Sequence, residues 1–575
     1  MRRVLEGTGA ARGMTVGRAR LVQPSQPVLD RRPLPPGEVG AEVERLDAAL
    51  ATARAELLDL RERLHGMLAR DVGEFIDAHR LLLDDPELLQ GLRSMIRDKH
   101  LRASVALQQQ RDRLVAVFDS MDDPYLRARR EDIHQVIARV QAALARQTTH
   151  EERKLAARVG EVLVSDSVAP AELAALAGHG LLGVVASAGS TYSHSAILAR
   201  SMNLPMVVGA TSALTEIHDH DLVLVDGDSG TVTVHPTAQD LAAFRAWQRE
   251  AAAEGKRLAS LADAPTATAD GCAIDLEANA EMPPDVLRAR QLGAGGIGLY
   301  RTEFLFLQRE GRPDEDEQFE AYRALVLSMA GLPVTIRTLD LGADKADRAG
   351  IVVPGEANPA LGMRGVRLSL RRPALFAEQL RAILRAACYG PLRILVPMVT
   401  TVDELAAVRT LLGVCARDLR GEGHAVPERI EVGAMIEVPA AAIGIRALLG
   451  VADFVAIGTN DLAQYTLAVD RNHDALASLY DPLQPALLRL VGYVIASARR
   501  AGKPVTLCGE MAGDPAFTPL LLALGLTGFS MHPSHMLAVR DALSRLDRRA
   551  LRALAPRLLR AAGRDEVEAL LAAAT

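Results

Sequence analysis

Strand-like and helical runs alternate from about residue 264 to the end of the chain, and this alternation constrains the fold most strongly. It is typical of parallel sheets whose strands are joined by helices, and at this length it favours a (β/α)₈ barrel over an open doubly wound sheet. Nine runs are strand-like, one more than a barrel needs: 274–278, 297–301, 334–340, 365–368, 394–398, 432–437, 454–460, 505–509 and 528–531. One of them is therefore a loop or a helix end, and the sequence leaves open which one.

The composition fits a globular protein of several domains. The chain has 575 residues, too many for one hydrophobic core, and we expect about three or four domains. Hydrophobic residues make up 49% and charged residues 24% of the chain. The net charge of −6, the lack of a long basic block and an aromatic content of 3% argue against a surface that binds nucleic acid.

Three features favour a cytoplasmic protein that does not insert into a membrane. Residues 1–7 contain no apolar core and are not a signal peptide. The longest uncharged run, 515–539, contains Pro519 and Pro533, which favours a helix followed by a strand over a membrane span. The cysteines lack metal-type spacing, and we expect reduced thiols at Cys272, Cys388, Cys415 and Cys508.

The first part of the chain contains an all-helical block. Apolar residues from Val39 to Met67 recur in alternating steps of four and three, which predicts a long amphipathic helix. Further helical patterns cover 75–83 and 103–118, and no strand pattern interrupts the block before about Arg146. Such a block either has a structural role or docks a partner.

The pattern then changes to short strands, at 162–164, 182–185, 206–208 and 222–225. The turn at 226–230 leads into 231–234 and predicts a hairpin. The strand-like segment 13–21 is expected to join this module, with the helical block inserted into it. The stretch 239–261, which contains Trp247, predicts a connecting helix.

His194 lies where a strand leads into a helix. The apolar run 181–186 is followed by a helical pattern of Ile197, Leu198 and Met202. The first turn of a helix has free backbone N–H groups and the positive end of the dipole, so an imidazole there stays neutral and nucleophilic. The same N–H groups favour a phosphoryl group on that histidine. The alternative is a polar residue that only caps a buried helix.

Charged residues follow several strand-like runs of the C-terminal half, at the places where barrel active sites lie. Arginines at one barrel mouth favour a phosphate or carboxylate ligand, because guanidinium groups bind such anions in bidentate fashion. Two carboxylates beside that anion would repel it unless a cation such as Mg²⁺ lay between them. The alternative is that each group belongs to an internal salt bridge. The residues are Arg301, Arg337, Arg364, Arg471, Glu437 and Asp461.

Two sets of motifs resemble enzymes that exchange phosphoryl groups with phosphoenolpyruvate (PEP). The stretch 190–200 resembles the phosphohistidine segment shared by enzyme I of the bacterial sugar phosphotransferase system, PEP synthase and pyruvate phosphate dikinase. Ser190 and Tyr192 depart from that pattern, in which Gly and Thr are usual. The C-terminal half resembles the PEP-binding barrel of enzyme I, in the same order, at 298–304, 435–439, 458–465 and 508–510.

The resemblance to the enzyme I family implies a role for each matched residue. His194 would carry the phosphoryl group, and Cys508 would donate a proton to the enolate of pyruvate. Asn460 would contact the phosphate of PEP. The arginines that hold PEP would be Arg301, Arg337, Arg364 and Arg471. The ligands of Mg²⁺ would be Glu437 and Asp461. Two departures that flank this site and bear on substrate fit are Ala343, usually Gly, and Met363, often Trp.

The same resemblance implies the reaction and its partners. A member of this family autophosphorylates from PEP, releases pyruvate and passes the phosphoryl group to a histidine of the carrier protein HPr, which begins sugar uptake and its regulation. Segments 74–85 and 122–133 resemble the helical insert that binds HPr, and a homodimer through the barrel is expected. The alternatives are a regulatory phosphorelay paralogue, which would need a sensory domain, and a PEP synthase or dikinase, which would need a nucleotide-binding domain.

The implied fold is α/β and multidomain. A swivelling β/α phosphohistidine domain, 1–22 and 146–236, receives an inserted helical HPr-binding domain, 23–145. A linker helix, 237–263, then leads to the PEP-binding (β/α)₈ barrel, 264–575.

Overall fold

The computed structural model describes residues 2–22, 32–63, 76, 79–80, 82–119, 133, 136–141, 143–144, 160–168, 173, 176, 180–189, 193–307, 311–342, 356, 358–470, 476 and 479–573. The chain divides into two compact units, Met1–Ala251 and Ala252–Thr575. Within the described residues, every helix is too short or too polar to cross a membrane.

A mixed sheet of eight strands forms the centre of the first unit. The strands are β1 (Arg3–Glu6), β2 (Thr8–Ala11), β3 (Met14–Val22), β4 (Glu161–Ser165), β5 (Gly183–Ala186), β6 (Met206–Val208), β7 (Leu222–Asp226) and β8 (Thr231–Val234). Their order in the sheet is β1-β8-β7-β3-β4-β5-β6-β2. The predicted hairpin is confirmed, since β7 and β8 pair antiparallel.

Helices α1 (Val39–Arg63), α2 (Pro86–Lys99) and α3 (Ala103–Asp119) lie between β3 and β4 in the sequence. The apolar stripe of α1 is buried, with Leu46, Leu50 and Leu57 no more than 2% exposed. β3 and β4 are nevertheless parallel, hydrogen-bonded neighbours. The helical block is therefore inserted between two paired strands, as predicted.

Three more helices complete or follow this unit: α4 (His194–Ser201), α5 (Ala213–Glu216) and α6 (Ala238–Ala259). Ala196, Leu198 and Ala199 of α4 are buried in the same hydrophobic cluster as residues of β5 and β6. The sheet thus fixes the helix that begins at His194. α6 is the predicted connecting helix.

The second unit contains a closed barrel of eight parallel strands, as the alternating pattern predicts. The strands are β9 (Asp275–Ala280), β10 (Ile297–Arg301), β11 (Val334–Arg337), β12 (Leu392–Val396), β13 (Glu431–Ile436), β14 (Val455–Ile457), β15 (Val505–Leu507) and β16 (Gly528–Met531). β16 pairs with β9 and closes the barrel. Leu299, Leu395, Met435 and Ala456 belong to one buried cluster.

The helices of this unit lie between the strands and after the last of them. They are α7 (Pro283–Gln291), α8 (Glu303–Leu307), α9 (Glu315–Ser328), α10 (Gly365–Arg371), α11 (Pro373–Ala386), α12 (Val402–Gly421), α13 (Pro439–Ile443), α14 (Ile445–Leu448), α15 (Thr459–Leu467), α16 (Pro485–Arg500), α17 (Glu510–Gly513), α18 (Thr518–Leu524), α19 (Met536–Arg545), α20 (Arg548–Arg552), α21 (Ala555–Leu558) and α22 (Arg564–Ala572).

The strand prediction for 365–368 is wrong, because this run opens helix α10. Four residues are too few to separate a strand from a helix by apolar spacing, and the buried Val366 and Ser369 lie three apart, on one helix face. Gly365, with φ of +56°, turns the chain from the extended Arg364 into the helix, a conformation that favours glycine. Each of the other eight runs overlaps one of the eight barrel strands.

Five strands end earlier than predicted, and β11 and β14 end earliest, three residues before the predicted end. β11 ends at Arg337 instead of 340, and β14 ends at Ile457, with α15 beginning at Thr459. In both cases the polar residues that were predicted at the end of the strand lie just beyond its carboxyl end. This is the end of a barrel at which active sites are built.

Candidate active site

The helix that begins at His194 is capped and anchored by its neighbours. Ser193 is the N-cap residue, and its Oγ accepts a hydrogen bond from the backbone N–H of Ala196 at 3.2 Å. Arg200, in the last turn, donates from Nη1 to the carbonyl of Ala10 in β2 at 2.8 Å. His194 therefore has a defined place in the first helical turn, where an anion is favoured.

Charged and reactive residues collect at the carboxyl end of the barrel. Two arginines are the last residues of β10 and β11, a carboxylate and a thiol directly follow β13 and β15, and a second carboxylate lies in the first turn of α15, after β14. A third arginine is the N-cap residue of α10. Because the strands are parallel, all of these lie at one mouth. The residues are Arg301, Arg337, Glu437, Cys508, Asp461 and Arg364.

Arg337 is buried, and its guanidinium group lies between two carboxylates. Nη2 is 3.0 Å from Glu303 Oε1, and Nη1 is 3.2 Å from Asp340 Oδ2. Burial lowers the pKa of Arg337, but the charges of Glu303 and Asp340 outweigh burial and raise it above its usual value. Its Nε is buried without a hydrogen-bond partner among the described residues. Such a donor is costly unless a ligand accepts from it.

Asp340 joins Arg337 to Arg364. Arg364 donates from Nη2 to Asp340 Oδ2 at 2.9 Å and from Nε to Oδ1 at 3.2 Å, a bidentate pair. Burial raises the pKa of Asp340, but the charges of Arg337 and Arg364 lower it by more, so the carboxylate stays ionised. Arg364 Nη2 also lies 3.4 Å from Asp461 Oδ2, and its Nη1 donates to the Tyr465 hydroxyl at 3.3 Å.

Glu437 is 1% exposed, and its Oε1 accepts from the backbone N–H of Met398 at 2.6 Å. Burial, then the charges of Asp461 and Asp340, raise the pKa of Glu437 to about 8. The rise comes first from burial, and the neighbouring acids Asp461 and Asp340 add to it. A divalent cation would remove the repulsion, and carboxylate oxygens suit Mg²⁺, so Glu437 and Asp461 fit a magnesium site.

The metal would take its remaining ligands from outside the protein. Across the ranges that the structure describes, no three or more His, Cys, Asp or Glu side chains are grouped so that they could hold a metal ion. Mg²⁺ is commonly held by only one or two carboxylates, with substrate phosphate and water completing its shell. The two-carboxylate arrangement therefore suits a cation that binds together with a phosphorylated substrate.

Cys508 is buried, and its Sγ donates to the carbonyl of Ile457 at 3.5 Å. Burial, then the charge of Glu437, raises the pKa of the Cys508 thiol to about 12. The thiol therefore keeps its proton at neutral pH. A protonated thiol is a poor nucleophile, whereas it still carries a proton that it can donate.

The structure also describes other residues that were predicted from the sequence to lie in or beside the site. Asn460 Nδ2 donates to Glu510 Oε1 at 3.0 Å, and Asn460 Oδ1 accepts from the backbone N–H of Glu510 at 3.0 Å. Arg301 Nη1 pairs with Glu281 Oε1. The backbone N–H of Met363 donates to the carboxylate of Glu356. The positions that lie outside the described residues are Ser190, Tyr192, Ala343 and Arg471.

The acidic partners of the arginines were not predicted from the sequence: Glu281, Glu303 and Asp340. Glu281 directly follows β9, while Glu303 and Asp340 closely follow β10 and β11. These are the strand-end positions at which the arginines themselves were recognised. A buried arginine needs an anionic neighbour. The arginines at the strand ends could therefore have pointed to acidic residues close to them.

Three family descriptions match consecutive parts of the chain. Residues 6–129 match "PEP-utilising enzyme, N-terminal", and residues 157–230 match "PEP-utilising enzyme, mobile domain". Residues 255–548 match "PEP-utilising enzyme, PEP-binding domain". The last match contains all eight barrel strands and the charged residues at their carboxyl ends.

Proteins named phosphoenolpyruvate-protein phosphotransferase are similar to nearly the whole chain. The one from Cupriavidus necator is 43% identical over 576 residues, covering 99% of this chain and 98% of its own length. The one from Geobacillus stearothermophilus is 40% identical and covers 95% of this chain and 93% of its own length. The one from Staphylococcus aureus is 38% identical, with 99% and 98% covered.

Proposed function

The chain belongs to the phosphoenolpyruvate–protein phosphotransferase family, and from this premise we propose how its residues divide the reaction. It is a transferase that moves the phosphoryl group of PEP to a protein. In our proposal the barrel mouth binds PEP, His194 receives the phosphoryl group, and Cys508 protonates the enolate that becomes pyruvate.

The charge balance of the barrel mouth carries this proposal. Three described arginines meet five carboxylates there, namely Glu281, Glu303, Asp340, Glu437 and Asp461. A divalent cation held by Glu437 and Asp461 would favour the ionised form of Glu437 and add positive charge for an anion such as PEP. At the same time, the buried Nε of Arg337 needs an acceptor. A phosphorylated anion bound with Mg²⁺ meets both needs.

In this proposal, each polar group at the barrel mouth has a role in binding PEP. The guanidinium groups of Arg301, Arg337, Arg364 and Arg471 bind the phosphate and carboxylate of PEP. Asn460 uses one amide N–H for Glu510, and the second N–H is available to a phosphate oxygen. Mg²⁺, held by Glu437 and Asp461, would neutralise charge that develops on the transferring group.

His194 attacks phosphorus in line with the bridging oxygen, since its place at the helix N-terminus keeps the imidazole neutral. The bond from phosphorus to that oxygen breaks and leaves the enolate of pyruvate in the barrel. Cys508 donates its proton to the enolate carbon, and the resulting thiolate takes a proton from water. His194 and the barrel belong to different units of the chain.

The acceptor in this proposal is HPr, which docks on the helical block and takes the phosphoryl group from His194. The reaction takes place in the cytoplasm, begins sugar uptake, and is carried out by a homodimer joined through the barrel. The motifs shared with enzyme I along the chain support these assignments, as they support the division at 22, 145, 236 and 263. The structure describes residues 76, 79–80 and 82–85 of the first segment, 74–85, but only residue 133 of the second, 122–133.

Removing the metal tests the proposed reaction. Without an acceptor, PEP and Mg²⁺ should release a burst of one pyruvate per chain, and excess chelator should abolish it because Glu437 and Asp461 then repel the phosphate. Asp461→Asn should raise the Mg²⁺ concentration needed by at least about tenfold, a loss seen even for partners of metal ligands. Pyruvate is measured by a coupled dehydrogenase assay.

The matched control is Asp453→Asn, because Asp453 lies before β14, at the amino end of the barrel, and pairs with Arg409 and Arg429. This variant should keep the metal requirement of the unmodified protein. A full burst in excess chelator would show that Glu437 and Asp461 serve only as partners of arginines.

Cys508→Ser should separate the two half-reactions. Phosphorylation of His194 by PEP is expected to slow by about 100- to 10,000-fold, because a hydroxyl is a far weaker acid than a thiol. Phosphorylation of His194 by phosphorylated HPr should stay near the unmodified rate, since exchange between histidines needs no carbon acid. Equal losses in both directions would indicate a packing defect, and no loss in either would remove Cys508 from the mechanism.

A further inference from the structure

We propose that Asn279 and Ser530 form a positioning pair that sets the direction from which the Cys508 thiol reaches the substrate carbon. This inference rests on the proposed role of Cys508 as proton donor and adds to it the residues that aim the donor. Neither side chain is charged, and their importance follows from hydrogen bonds that join separate strands.

Asn279 is the second-to-last residue of β9, and its side chain links three neighbouring strands. β15 pairs with β16, and β16 pairs with β9. Asn279 Nδ2 donates to the carbonyl of Cys508, just beyond β15, at 3.0 Å. Asn279 Oδ1 accepts from Ser530 Oγ of β16 at 2.6 Å. The amide thus bridges from β9 past β16 to the end of β15.

These two bonds allow only one orientation of the amide. The carbonyl of Cys508 can only accept, so Nδ2 must face it, and Oδ1 must then face Ser530. Ser530 is fully buried, so its hydroxyl has no bulk water to bond and holds the amide in place. A Cβ at residue 298 would lie 2.5 Å from Ser530 Oγ, so Gly298 provides the space that this hydroxyl occupies.

Hydrogen bonds hold the two peptides that flank the Cα of Cys508. The backbone N–H of Cys508 donates to the carbonyl of Ile457 at 3.0 Å, while its own carbonyl accepts from Asn279. On the other side, a Cβ on Gly509 would lie 1.9 Å from Thr459 Oγ1, so this segment presses directly against α15. With these two peptides fixed, the Cα–Cβ bond of Cys508 has one direction, which limits the positions that the thiol can take.

The step that this pair serves is the protonation of the enolate. The S–H bond of Cys508 breaks while a C–H bond forms at the methylene carbon, and the electron pair of the enolate double bond makes that new bond. The carbonyl of pyruvate is restored, and the thiolate regains a proton from water. Asn279 acts on this step through Cys508, which makes it a positioning residue.

Asn279→Ala tests the inference in the full chain with PEP and Mg²⁺. Pyruvate formation in single turnovers at saturating PEP should fall by about 100-fold, the usual effect of a displacement of about 1 Å. PEP affinity, measured in a His194→Ala background so that no transfer occurs, should stay within about twofold, since the arginines are unchanged. The slowed step should show a larger solvent deuterium isotope effect, because proton transfer then limits the rate.

Ser530→Ala is a milder variant that keeps Asn279 but frees its amide, and we expect a loss of about tenfold, equivalent to one hydrogen bond. Ser497→Ala is the matched control: it also removes a buried hydroxyl, one that accepts from Arg500 on α16, and it should react at the unmodified rate. A loss of PEP affinity as large as the loss of rate would overturn the inference. Unmodified rates in both Asn279→Ala and Ser530→Ala would overturn it as well.

Cys508→Ser in the same assay separates this inference from the proposal beneath it. If Cys508→Ser is slow and Asn279→Ala is not, Cys508 donates the proton without help from the pair. If Cys508→Ser reacts at the unmodified rate, the proton-donor role itself fails and the inference falls with it.

Discussion

Arg337→Met is expected to lower kcat/KM for PEP by about 1,000-fold, because it removes a buried charge and a free donor from the place where the phosphoryl group binds. The variant also leaves Glu303 and Asp340 without one of their cations, so the mouth becomes more negative and repels PEP. Methionine matches the length of the side chain and keeps the packing. Steady-state pyruvate release gives kcat/KM.

Arg393→Met is the matched control. Arg393 is also a barrel arginine paired with a carboxylate, Glu277, at 2.8 Å, but it is the second residue of β12, near the amino end. Each variant leaves a buried carboxylate unpaired and should lose about 3–5 kcal/mol of stability, measured by denaturant unfolding. Only Arg337→Met should lose turnover while folded. Equal losses of kcat/KM in the two folded variants would show that Arg337 acts through stability alone.

The barrel could be predicted from the sequence because its strands are short apolar runs bounded by helical patterns, as in β12 and β13. The residues at which the strands end could not be predicted. Asn460 follows an apolar run, and a polar residue there is equally compatible with the last position of a strand or the first turn of a helix. Helix 365–371 shows the same limit, since its first residues have too short an apolar pattern to reveal a period.

The presence of charged residues at the carboxyl ends of the strands could be predicted, but their pairing could not. The arginines stand out because a charge at a strand end is unusual, whereas Asp340 accepts from Arg364 only because the long connection after β11 returns to the mouth. The bond between Asn279 and Cys508 depends on the closure of the barrel through β16. Contacts of this kind follow from strand order and register, which apolar spacing along the chain does not contain.

In our proposal His194 carries the phosphoryl group of PEP, so replacing it should have the largest effect of any substitution. Nothing else at the start of α4 can replace an imidazole nucleophile, so His194→Ala should abolish labelling and pyruvate release completely. His218→Ala is the control in the same unit, since the His218 side chain is 77% exposed and pairs only with Asp221 among the ion pairs of the described residues. It should be labelled normally.

The most direct measurement is the intact mass of the protein after reaction with PEP and Mg²⁺, followed by mapping of the modified residue under alkaline conditions that preserve phosphohistidine. We predict one added phosphoryl group, labile in acid, on the peptide that contains His194, and no added mass on His194→Ala. Stoichiometric, acid-labile phosphorylation of folded His194→Ala would contradict the account.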